Sequence, residues 1–68
     1  MNTAEYAAAV RAAGVSPDLP VLEQDKEVAR LLLVDPRTAR RYRRGEVWVP
    51  GPVQVALRCL AKLRKEHA

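Results

Sequence analysis

The sequence predicts an all-α fold, a small helical bundle of four to five helices. Three observations carry that prediction. Helix-starting and helix-ending residues bracket most of the apolar segments, as in "NTAEYAAAVRAAG" and "DPRTARRYRRG". Apolar side chains recur at three- and four-residue spacing, and the one short alternating stretch is Val47-Trp48-Val49. Phe is absent while Ala, Val and Leu are abundant, a composition suited to helices with small core residues.

A chain of 68 residues is expected to form a single domain, 1–68. Such a chain buries only about 60% of the surface its unfolded form exposes, so its stability is marginal. With Cys59 as the sole cysteine there is no intrachain disulfide. Cys59 and His67 are the whole set of soft or imidazole ligands, so neither a metal nor another cofactor is expected. Compact helix packing and a second copy of the chain remain as sources of stability. The lone thiol fits a reducing, cytoplasmic setting. "MNTAEYAAAV" lacks a basic region and a long apolar stretch, so it does not read as a signal peptide. "LLLV" is far too short to span a membrane.

The first helix is expected from Asn2, an N-cap with Glu5 three positions on, to Gly14, a left-handed stop. Tyr6, Ala9, Val10 and Ala13 share its inner face. Residues 15–24 carry two prolines and read as a connection with at most a short helical turn. Val15, Leu19, Val21 and Leu22 are too apolar for a free linker and should pack down. "DKEVARLLL" reads as a second helix over 25–33 with Asp25 as N-cap. Its stripe is Val28, Leu31 and Leu32, with Ala29 small enough for close approach.

Asp35-Pro36 is a strong helix start and Gly45 a strong stop. The enclosed helix, about 36–44, is roughly 13 Å long. Five arginines fall between Arg37 and Arg44. On a helical wheel Arg37, Arg40, Arg41 and Arg44 share an arc of about 100°. Ala39 and Tyr42 lie opposite, while Thr38 and Arg43 sit at the margins, Arg43 placed for a phosphate or for an ion pair with Glu46. A solvated face normally interleaves signs, and this one has no carboxylate to relieve repulsion. The planar guanidinium fork suits bidentate contact with guanine O6/N7 or with phosphate.

A last helix begins at Pro50 or Pro52 and covers about 52–66. Val53, Ala56, Leu57, Leu60 and Leu63 form its inner stripe. Val55 and Cys59 widen the apolar arc beyond what one monomer core needs, leaving Gln54, Arg58, Lys62 and Lys65 as the polar strip. That width suggests a partner helix, with its own copy as the favoured partner and burial on two sides in one monomer as the alternative. Val55, Cys59, Leu63 and Trp48 are the candidate dimer contacts, although a lone Trp in a small domain is by default core packing. His67 reads as a frayed tail. The charge is uneven: residues 1–35 hold three basic and six acidic side chains, residues 36–68 nine basic and two acidic. Only the second half suits a polyanion.

"EVARLLLVDPRTARRYRRGEVWVP" resembles the helix-turn-helix core of the Cro/C1 (XRE-like) phage-repressor class, including small anti-CRISPR-associated regulators of phages and mobile elements. The matching positions are Ala29, Val34, Arg37-Thr38-Ala39, Tyr42, Gly45 and Pro50. The resemblance implies a helix-turn-helix at about 25–45 whose second helix lies in the DNA major groove. It implies base readers at Arg37, Arg40 and Arg41. Arg44, Arg43, Lys26 and Thr38 are then phosphate or flanking contacts, with the Asp25-Lys26 backbone amides also on phosphate. Two features depart from the family: Leu33 stands where Gly is usual, and the gap before the motif is long.

The expected function is therefore a homodimeric repressor that binds double-stranded DNA at a palindromic operator, with no membrane partner and no small-molecule ligand. Two alternatives come from other classes: an arginine-rich RNA-binding protein, and a protein-binding module of the antitoxin or inhibitor type. An enzyme is not expected, because Ser16, Cys59 and His67 are scattered and the carboxylates form no pair.

Overall fold

Each helix forms where local chemistry closes its ends. In the computed structural model, which describes residues 1–66, four helices follow one another: α1 (Thr3–Ala12), α2 (Val21–Leu32), α3 (Pro36–Arg44) and α4 (Gly51–Glu66). No strand occurs among the described residues. The expected all-α bundle is present with four helices, and the expected frayed His67 lies outside the described residues.

At the start of α1, Asn2 and Glu5 form a reciprocal capping box. The Glu5 amide donates to Asn2 Oδ1 at 2.8 Å and the Asn2 amide to Glu5 Oε1 at 2.9 Å. Three helices then end in the same way. A left-handed residue (Gly14, Leu33 or Gly45) lets the next amide reach back to the last turn. The bonds are Val15 to the Val10 carbonyl at 3.2 Å, Val34 to Ala29 at 3.1 Å and Glu46 to Arg41 at 2.9 Å. Gly45 is doubly constrained, since its φ is 72° and a Cβ there would sit 2.9 Å from Thr3 Cγ2.

The core draws on every helix and both long connections: Tyr6, Val10, Val15, Val28, Ala29, Ala39, Tyr42, Val49 and Leu57. The rings of Tyr6 and Tyr42 meet at 6.1 Å in a tilted arrangement, locking α1 onto α3. α3 packs chiefly on α2, and α4 chiefly on α1. Leu57 is the α4 residue that reaches full burial.

Two expectations need correction here. α2 begins at Val21 behind Pro20, a full turn before Asp25, so Asp25 is an interior helical residue rather than an N-cap. Asp25 then falls on the same face as Val28 and Ala29 and is buried with them. Val21 and Leu22 share that face but lie in the first turn of α2, and of the apolar residues expected to pack down, Val15 packs in while Leu19, Val21 and Leu22 stay exposed. Gln24 secures this entry by donating from Nε2 to the Leu19 carbonyl at 2.7 Å. Trp48 is the second correction. It is 71% exposed while Val49 takes the core position, because the irregular segment after Gly45 directs only one of them inward.

Candidate nucleic-acid interface

α3 is set by its ends. Asp35 accepts the Arg37 amide at 2.9 Å, Pro36 occupies the first helical position, and Gly45 closes the helix. Its inner face is buried through Ala39 and Tyr42, as the wheel predicts. Burial of that face fixes the rotation of the helix, and Arg37, Arg40, Arg41 and Arg44 all emerge exposed.

Among the described residues, no side-chain ion pair engages Arg37, Arg40 or Arg41. Arg44 is partly neutralised, its Nε lying 3.1 Å from Glu46 Oε2. Lys26 lies across from α3, and with Leu22, Pro36, Arg37 and Arg40 it lines a groove of about 170 Å³ between the two helices. Its ammonium is 3.3 Å from Glu23, but both groups are largely solvated, so this pair restrains Lys26 weakly. Thr38 is half-buried at the margin of the arginine face.

Arg43 has a different role from its neighbours. The ion pair expected with Glu46 does not form. Arg43 instead donates from Nε and Nη2 to both oxygens of Asp25, at 2.9, 3.2 and 3.0 Å. The pair bridges α3 to α2. These hydrogen bonds hold the Arg43 pKa above its ordinary value, with burial opposing and the Asp25 charge adding to the rise. The Asp25-Lys26 backbone amides that the resemblance assigns to phosphate sit inside α2, one turn past its actual N-terminus. The groups brought together at the surface are therefore Lys26, Arg37 and Arg40, with Arg41 and Arg44 further along the same exposed face of α3.

Of the residues expected at a dimer contact, Val55, Cys59 and Leu63 recur every four residues along one exposed stripe of α4, whereas Trp48 is exposed before the helix, in a region it lines with Met1, Thr3 and Tyr42. Leu63 was also expected on the inner stripe, where Val53, Ala56 and Leu60 are half-buried and Leu57 is buried. Among the described residues no helix is long and apolar enough to cross a membrane.

Sequence reasoning missed the Asp25–Arg43 pair. Its signal was present as two misfits: a carboxylate three and four residues from Val28 and Ala29, and one arginine lying off the arc of the other four. No protein-family model matches this chain, and neither a curated protein nor a solved structure does.

Proposed function

We propose that this protein binds double-stranded DNA sequence-specifically through α3, as a homodimeric transcriptional repressor in the cytoplasm. The observation that carries the reading is the unrelieved cationic face: exposed Arg37, Arg40 and Arg41 without ion-pair partners among the described residues, on a helix anchored by its opposite side. Like charges at these spacings destabilise the free helix. A polyanion turns that repulsion into attraction, and arginine forks supply bidentate base and phosphate contacts.

In this reading α2 and α3, joined by the turn Leu33–Asp35, act as a helix-turn-helix. Arg37, Arg40 and Arg41 read base edges, while Lys26 and Arg44 contact phosphates. Arg43 positions α3 through Asp25. The apolar strip on α4 and Trp48 support pairing of two copies, which would set two recognition helices about 34 Å apart on an inverted repeat. Repression follows from occupying a promoter.

The test is selection of bound duplexes from a random pool, with the recovered motif examined for two-fold symmetry. A symmetric motif is expected. A sequence-tolerant pool together with tighter binding to structured RNA at matched salt would reassign the face to RNA. Binding no tighter than net charge explains would reassign it to an acidic protein partner.

A further inference from the structure

The interhelical groove between α2 and α3 has an apolar wall that its charges do not account for. Leu22, Asp25, Lys26, Pro36, Arg37 and Arg40 line its volume of about 170 Å³. Lys26, Arg37 and Arg40 are exposed cations. Asp25 is only 4% exposed and gives both of its oxygens to Arg43, so it offers the groove little. Leu22 and Pro36 remain, and both are exposed, Leu22 at 61%. Leu22 lies in the first turn of α2 on the same stripe as the buried Ala29, yet the chain leaves it open to solvent. An isolated exposed leucine needs no explanation. This one shares its groove with three cations and a proline.

Charge and apolar wall select different parts of one partner. With Lys26 on a phosphate and Arg37 and Arg40 on base edges, Leu22 and Pro36 are carried to the DNA major groove. Base edges there present hydrogen-bond donors and acceptors, and a single kind of apolar group, the 5-methyl of thymine. A donor or acceptor finds no partner in either side chain, since leucine is hydrocarbon and the proline nitrogen carries no hydrogen. A methyl group gains by leaving water against them.

We infer that Leu22, backed by Pro36, is a specificity-determining residue that takes the 5-methyl group of one thymine in each half-site. The inference rests on the duplex reading of α3. It gives α2 a share in reading sequence, beside its phosphate contact through Lys26.

The test uses the full chain and the duplex recovered by selection, with each thymine replaced in turn by deoxyuridine, which removes only the methyl. Wild-type protein should lose about fourfold in affinity at one thymine per half-site, the worth of one buried methyl-sized group. Leu22→Ala changes an exposed position to the best helix former and should fold as the wild type does. It should bind the parent duplex more weakly and show no further loss at that thymine. A half-site without thymine, deoxyuridine substitutions that are silent throughout, or equal sensitivity in Leu22→Ala overturns the assignment and leaves α3 a duplex-binding helix. Failure to enrich any duplex overturns both.

Discussion

Three residue types carry distinct tasks in this molecule, and single substitutions separate them. Arg43→Ala leaves the Asp25 carboxylate buried without a counter-ion, which typically costs about 3–5 kcal/mol. That is a large share of the total stability of a domain this small. Circular dichroism should show loss of cooperative melting, while replacing both Asp25 and Arg43 by leucine should restore it. A loss of under about 0.5 kcal/mol for Arg43→Ala, the range of an ordinary surface change, would contradict the structural role. Arg37→Ala and Arg41→Ala should leave melting nearly unaltered. Each should cost about 1–3 kcal/mol on the selected duplex and relax the preference at one base position. Lys26→Ala should weaken all duplexes alike and flatten the salt slope by about one. Discrimination against scrambled duplex that survives both arginine substitutions would remove them from base reading. Tyr6 adds a dependence on pH. Burial first, then the charge of Asp25 and the neighbouring Tyr42, push its pKa up to about 12. The neutral hydroxyl is thus favoured in the folded state. Its contribution is complete below about pH 10, the unfolded value, and is lost as pH rises from there through 12. Urea unfolding at pH 9, 10 and 11 should show the wild type losing stability faster than Tyr6→Phe; parallel curves would refute the shift.

At the scale of elements, α1 and α3 were legible because both of their ends are written in short-range chemistry. Asn2 with Glu5, Asp35 with Pro36, and glycines at 14 and 45 define them without tertiary information. The start of α2 was not legible. Asp25 has the chemistry of a good N-cap, and only a partner eighteen residues later in sequence makes its burial tolerable. Trp48 was similarly opaque, since a Val-Trp-Val segment gives no local indication of which side chain turns inward. The α2–α3 turn illustrates a third case, a position occupied by a residue poorly suited to its geometry. Leu33 is left-handed, with φ 56° and ψ 43°, and 91% exposed. A non-glycine residue there costs about 1–2 kcal/mol, and this side chain recovers almost nothing by packing. Against that, glycine loses about 0.4–1 kcal/mol more chain entropy on folding. Leu33→Gly should therefore stabilise by a few tenths to about 1 kcal/mol, raising the melting temperature by a few degrees. A lower melting temperature would show that the exposed side chain makes a contribution its burial does not reveal.

For the whole molecule, the distribution of burial follows from how few residues must do two jobs. α3 can present an unmixed cationic face because Ala39, Tyr42 and Arg43 tie it to α1 and α2 from behind. α4 packs chiefly on α1 and commits only Leu57 fully to the core. What remains on it is Val55 at 54% and Leu63 at 51% exposure, with Cys59 between them and Trp48 just before the helix. Isolated exposed apolar residues need no explanation, whereas a continuous strip along one helix of a marginally stable domain does. Self-association through this strip would bury it and add stability that depends on protein concentration. Wild-type protein should therefore sediment as a dimer at micromolar concentration and melt at higher temperature as concentration rises. Placing charges at both ends of the strip, as in Val55→Lys with Leu63→Lys, should yield a folded monomer. Because neither substitution touches α3, the monomer should keep its half-site preference while losing the two-fold symmetry of the selected motif. A wild type that sediments as a monomer at every concentration, yet still selects a symmetric motif, would place the pairing on the DNA rather than on α4.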